Sequence, residues 1–266
     1  MLEYRLASKK FSGGVPLSFT ILFLTMLLGV VAGFLNVVAG GGSLLSLPFL
    51  IFLGLDASSA NATNRVSILL QNMVAAWQFK REKVLSLKEA LSLGFPATVG
   101  AVAGTLLAVQ MDERFLKIVI ALVISMMAVM LVAKPRMWET HSDKKWPYWA
   151  RWILFFFIGV YGGFIQAGVG FILIWALAGA VGKDLVRANG LKVAIVLCYT
   201  VASFAIFYSH NLVNLDFGLA LAAGSMTGGW IGTKFAVARG NRWIRYILVV
   251  MVVISALRMI TSAISG

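Results

Sequence analysis

Hydrophobic positions along this chain neither alternate nor keep to one helical stripe. They run together in uncharged blocks at 17–55, 66–79, 90–111, 118–133, 152–182, 193–215, 217–233 and 246–257. Several blocks exceed the roughly 18 apolar residues that mark a transmembrane helix, and the lack of period-two alternation excludes a membrane barrel. The pattern predicts helical segments over 17–35, 44–54, 62–79, 89–110 and 115–133. A second set follows over 152–166, 170–182, 190–209, 216–236 and 243–262. Two of these, 44–54 and 170–182, are too short to span. Ten residues rise about 15 Å, half of a bilayer core of about 30 Å. Each short segment follows a glycine-rich interruption. Gly40-Gly41-Gly42-Ser43 comes after a helix ending in Gly33-Phe34-Leu35-Asn36, and Gly168-Val169-Gly170 comes after Gly163-Phe164-Ile165-Gln166. Half-length, glycine-broken segments in matching places of two halves point to a secondary transporter's binding site.

The halves overlay by hand. Gly29, Gly33, Phe34 and Asn36 fall on Gly159, Gly163, Phe164 and Gln166; Ala39, Gly40 and Gly42 fall on Ala167, Gly168 and Gly170. Arg65 falls on Lys192, and Gly100, Gly104 and Thr105 fall on Gly228, Gly232 and Thr233. So many matches in one order predict an internal duplication. The expected fold is an all-α polytopic membrane protein of two repeats, each with four long helices and one short half helix. The first repeat is 1–133, the inter-repeat loop is 134–151, and the second repeat is 152–266.

Charge orients these repeats. The net charge of +13 would suit a nucleic-acid partner, but the basic residues crowd the connections, as the positive-inside rule expects. With 80–88, 134–151, 183–187 and 234–245 on the cytoplasmic side, fifteen of the twenty-three Lys and Arg residues lie there, against six opposite. The turn at 80–88 is then inside and its counterpart at 210–216 outside, so the repeats are inverted. The basic N-terminus (Arg5, Lys9, Lys10) is the one group on the wrong side. Its apolar continuation is too long for a signal peptide, so the segment is expected to be retained. Trp138, Trp146 and Trp149 in the inter-repeat loop are expected to anchor at the membrane interface.

The candidate chemistry gathers at the breaks. Segments that begin at mid-membrane present unsatisfied N–H groups and the positive end of a helix dipole, which attract an anion. Gly40, Gly41, Gly42, Gly168 and Gly170 allow a sharp turn and close backbone approach to a ligand. The motifs Gly100-x-x-x-Gly104 and Gly228-x-x-x-Gly232 read instead as packing faces. Asn36 and Gln166 each could donate an amide to a ligand or bridge to the opened backbone of the other break. Ser43 could cap the following segment as well as meet a ligand. Arg65 and Lys192 lie within apolar segments, where a charge is costly; they could balance an anion or snorkel to a nearby interface. Gln71, Asn72, Tyr199, Thr200 and Ser203 are further polar positions on the same segments.

Absences narrow the class. All ten carboxylates lie in tails, loops or segment ends, so no acidic proton relay is visible. His141 and His210 are in loops, and Cys198 is the only cysteine. There is no Walker A sequence, no nucleophilic triad and no metal-ligand spacing, so no cofactor or metal is expected and an enzyme is disfavoured.

Both repeated motifs, Gly-Phe-Leu-Asn leading into Ala-Gly-Gly-Gly-Ser-Leu-Leu and Gln-Ala-Gly-Val-Gly-Phe, resemble those of the TauE/SafE (sulfite exporter, TSUP) permeases. The resemblance covers essentially the whole chain. It implies an inner-membrane carrier, bacterial or archaeal, for sulfur-containing anions such as sulfite, thiosulfate, sulfonates or sulfoacetate, with the motif positions at Gly40 to Ser43 and Gly168 to Gly170. Expected partners are a small anionic solute and the lipid bilayer, not nucleic acid; a homo-oligomer is compatible with the chain. A channel-like anion conduit is the alternative, and a membrane-embedded enzyme or assembly factor a more distant one.

Overall fold

A computed structural model describes residues 18–133 and 146–264, with side chains at 18–126 and 146–239. Nine α-helices and no strand occur among the described residues. They are α1 (Phe19–Val38), α2 (Ser43–Phe52), α3 (Ala57–Arg81), α4 (Leu87–Gln110), α5 (Glu113–Ala133), α6 (Tyr148–Phe164), α7 (Val169–Gly179), α8 (Leu185–Ser209) and α9 (Leu215–Ile264). Three of them, α1, α4 and α8, are long and apolar enough to cross a bilayer by themselves. The helices α2 and α7 are the two short elements anticipated from the glycine breaks, at 10 and 11 residues.

Helix starts follow local chemistry. Ser18 caps α1 through the Ile21 N–H, and Asp184 caps α8 through the N–H groups of Val186 and Arg187. The start of α3 is held from a distance: Glu113 accepts from Ala57 N–H, from Ser58 N–H at 3.1 Å and from Ser58 Oγ at 2.8 Å. The starts of α3 and α8 lie further out than the apolar pattern suggests. The polar runs Asn61-Ala62-Thr63-Asn64 and Arg187-Ala188-Asn189 are thereby helical, which sets Arg65 and Lys192 about two turns inside their helices.

Two boundaries differ from the sequence reading. The segments expected at 216–236 and 243–262 form one 50-residue helix, α9. Charge at Arg239, Arg242 and Arg245 interrupts an apolar block, but nothing there interrupts a helix, since the stretch holds no Pro and a single Gly. At 1.5 Å per residue α9 is about 75 Å long, so only part of it fits within a bilayer core of about 30 Å. The inter-repeat segment also ends early, because Tyr148 to Arg151 already belong to α6. Its remainder at 134–145, including Trp138, lies outside the described residues, as do Arg5, Lys9 and Lys10.

Packing is crosswise. Helix α1 packs on α9 and α6 packs on α4, while α3 and α8 cross at the centre and lean on α9 and α4 in turn. Small residues permit the close approach. A Cβ on Gly33 would lie 2.6 Å from Ser225 Cα, and one on Gly163 would lie 2.6 Å from Ala101 Cα. From the other side, a Cβ on Gly228 would lie 2.8 Å from Phe34 N, and one on Gly100 would lie 2.9 Å from Val160 N. The motifs read as packing faces are therefore packed, each on a helix from the opposite half. The core divides the same way. Val37, Val38 and Ala39 of the first break are buried with α7, whereas Ile165 and Ala167 of the second are buried with α2.

Candidate functional site

The two glycine breaks meet. Gly40 (φ +90) and Gly168 (φ +71) take the left-handed conformation that turns the chain between each long helix and its short successor. A Cβ on Gly40 would lie 2.6 Å from Gly170 Cα, so the two backbones touch with no room for a side chain between them. Both breaks are buried. Among the described residues, the N–H groups of Gly41, Gly42 and Ser43 entering α2, and those of Gly168 and Gly170 entering α7, find no hydrogen-bond acceptor. Two positive helix ends thus converge on one buried place.

The carbonyl ends of the preceding helices are treated differently. Lys192 Nζ donates to Asn36 O (2.9 Å), Val37 O (2.8 Å) and Asn189 Oδ1 (2.6 Å), and Asn189 Nδ2 donates to Val38 O at 3.1 Å. Three successive carbonyls ending α1 are satisfied by two side chains of α8. The counterpart is built alike. Arg65 donates to Gly162 O (2.7 Å), Gly163 O (2.8 Å) and Gln166 Oε1, and Asn61 Nδ2 donates to Phe164 O at 2.7 Å. A cation and an asparagine on the central helix of one half cap the broken helix of the other.

Neither cation snorkels. Arg65 is 0% and Lys192 2% exposed, because their helices begin earlier than the apolar blocks and carry them into the core. All three Lys192 N–H bonds are committed, whereas Arg65 keeps its Nε–H free and rests its guanidinium 5.3 Å from the Phe207 ring centroid. Asn36 Nδ2 donates to Gln71 Oε1 at 3.4 Å, and Gln166, at φ +61, accepts from Arg65. Neither amide bridges to the other break's backbone. Ser43 is not the cap of α2: Gly42 holds that position, without a side-chain hydrogen bond, and Ser43 is the first helical residue.

Sequence reasoning passed over Asn61, Asn64, Ser46 and Asn189 in this shell and named Gln71, Asn72 and Tyr199 only as further polar positions. Asn61 and Asn189, four and three residues before Arg65 and Lys192, cap carbonyls. Ser46 Oγ donates to Asn64 Oδ1 at 2.7 Å, which ties α2 to α3 and leaves Asn64 Nδ2 unpaired. Gln71 Nε2, Asn72 Nδ2 and the Tyr199 hydroxyl are also buried without a partner among the described residues. Tyr199 stands beside the second break, its hydroxyl 3.0 Å from where a Cβ on Gly162 would lie. A signal did exist: α3 carries buried amides at 61, 64, 71 and 72 within a membrane-length helix, and such groups demand partners. Among the described residues no Asp or Glu is buried, and no three His, Cys, Asp or Glu side chains cluster as a metal site.

The surroundings of the breaks therefore offer donors and positive charge with no buried carboxylate. The family described as Sulfite exporter TauE/SafE matches residues 25–259, which include both breaks and both cations. The chain belongs to that family. It is a transmembrane transporter of the TauE/SafE type. It is similar to a probable membrane transporter protein of Haemophilus influenzae, at 26% identity over 87% of this chain and 91% of that one. It is also similar to the probable membrane transporter protein ORF9 of Sinorhizobium sp, at 25% identity over 92% and 94% of the two chains. Escherichia coli strain K12 has a probable membrane transporter protein, YfcA, 25% identical over 89% of this chain and 87% of its own. No solved structure matches. These relatives mark a bacterial membrane protein that moves a small solute within a lipid environment.

Proposed function

We propose that this TauE/SafE transporter carries a small sulfur-containing anion, such as sulfite, thiosulfate, a sulfonate or a sulfoacetate-like compound, across the bacterial inner membrane as a multi-pass carrier. The observation that carries the reading is the pair of abutting helix starts with free N–H groups, backed, among the described residues, by the buried cations Arg65 and Lys192 and no buried acid. Gly40, Gly41, Gly42, Ser43, Gly168 and Gly170 supply the backbone donors. Asn36 and Gln166 orient the anion from either side. Arg65 contributes its free Nε–H, and Lys192, fully committed to carbonyls, acts through its charge. The sulfur chemistry rests on the family's description. The solute passes unchanged, without enzymatic conversion.

Crosswise packing supports two inverted repeats and transport by alternating access. Helix α1 pairs with α9 and α6 with α4, each a partner from the opposite half, and each break is capped from across the molecule. Rocking of one repeat against the other would expose the shared site to either side in turn.

The test is thermal stabilisation of the purified protein by a panel running from sulfite, thiosulfate and sulfate through sulfonates to carboxylates. Specific binding raises stability by RT ln(1 + [L]/Kd), about 2.7 kcal/mol at a hundredfold excess over Kd. A shift confined to sulfur oxyanions or sulfonates is expected, with saturable uptake of the same anions into proteoliposomes. A shift only with a cation or a neutral solute overturns the anion reading, and flux that never saturates overturns the carrier.

A further inference from the structure

The outer face between α4 and α6 carries two cavities stacked along one groove. The one nearer the helix starts, of about 250 Å³, is lined by Lys88, Ser92, Tyr148 and Arg151 among others. The one below it, of about 490 Å³, is wholly apolar, with Phe95, Val99, Ile153 and Phe157 on its walls and Pro96 at its back. Tilted ring contacts link their walls. Trp152 lies 5.6 Å from Tyr148 of the polar cavity and 5.9 Å from Phe95 of the apolar one.

Charge at the polar end is one-sided. Lys88 is exposed, Arg151 is half-buried, and Arg151 Nε–H has no acceptor among the described residues. The acid there, Glu89, is already paired with Lys183 at 2.8 Å. Ser92 Oγ and the Tyr148 hydroxyl, hydrogen-bonded to each other at 3.0 Å, leave one further hydroxyl donor at the same rim. Phe95 and Val99 follow Lys88 by seven and eleven residues, which places them about 10 and 16 Å further along the helix. That is the separation between a lipid phosphate at the interface and the acyl chain beneath it. Any apolar furrow on a membrane protein meets acyl chains; here a cationic, donor-rich recess stands at its interfacial mouth.

We propose that this groove binds an anionic phospholipid, its phosphate held by Lys88 and Arg151 and one acyl chain laid along Phe95, Val99, Ile153 and Phe157. The site lies on the lipid-facing surface, apart from the paired breaks, and needs no assumption about the transported solute. It occupies the α4–α6 contact, one of the crosswise pairs, so a bound lipid would brace the two halves against each other.

Native mass spectrometry of the full chain, released from detergent with equimolar phosphatidylglycerol and phosphatidylcholine of matched chains, tests it. Phosphatidylglycerol adducts should dominate. Lys88→Gln with Arg151→Gln should cut phosphatidylglycerol retention roughly fivefold per cation, the effect of one basic residue at an anionic membrane surface. Phosphatidylcholine adducts should stay constant, which also reports that the variant is folded. Val99→Trp, which fills the apolar cavity, should weaken phosphatidylglycerol retention with the cations intact. Equal retention of the two lipids by the unmodified protein, or a phosphatidylglycerol preference that survives the double substitution, overturns the proposal. So does a stabilisation by inorganic phosphate alone equal to that by phosphatidylglycerol, which would make the recess a free-anion site.

Discussion

At the residue scale, the informative side chains are the two cations that a sequence reader would assign to an anion by charge alone. Lys192 spends all three N–H bonds on Asn36 O, Val37 O and Asn189 Oδ1, so its first duty is to close the carbonyl end of α1. Lys192→Met should then leave buried carbonyls without donors, at about 1–3 kcal/mol each. The expected result is a destabilisation of about 3 kcal/mol, read as a lowered Tm of purified protein. An unchanged Tm with lost transport would instead make Lys192 a direct ligand. The charge at these positions was legible because a Lys or Arg inside an apolar block is conspicuous. Its depth was not, because depth depends on where the helix begins. Asp56 stands at the N-cap of α3 without a side-chain hydrogen bond, and the first N–H groups are held by Glu113, more than fifty residues away.

At the element scale, the breaks were the clearest feature of the primary structure. Glycines between apolar runs, followed by runs half the length of a span, leave few alternatives to a broken helix. What they did not reveal is that Gly40 and Gly170 face each other. Gly40→Ala would impose a side chain at φ +90, a left-handed conformation costing about 1–2 kcal/mol, and drive its Cβ into Gly170. Loss of the monodisperse species on size exclusion is expected. Gly179→Ala, where a Cβ meets nothing within 4 Å, should leave stability equal or higher by up to about 1 kcal/mol, the helix propensity difference. Equal behaviour of the two variants would mean the breaks do not touch. The run-on of α9 is the opposite case: a cluster of arginines ends an apolar pattern without ending a helix.

At the scale of the whole molecule, inverted repeats predict opposite sidedness for the turns that follow α3 and α8. In a Cys198→Ser background, Glu82→Cys and Asn211→Cys should react with an impermeant thiol reagent from opposite faces of the membrane; both positions are exposed. Labelling from the same face would exclude the inverted arrangement. By itself the sequence determined the membrane class, the helix count to within the α9 junction, the position of both breaks and the identity of the buried cations. These follow from runs of apolar residues, from glycine and from isolated charge, all of which act over one or two turns. The tertiary structure alone decided that each half caps the other. Arg65 reaches Gly162 across 97 residues and Lys192 reaches Asn36 across 156. Such pairings are chosen by which small-residue faces fit and which buried carbonyls lack a donor, and neither condition exists until the helices have packed.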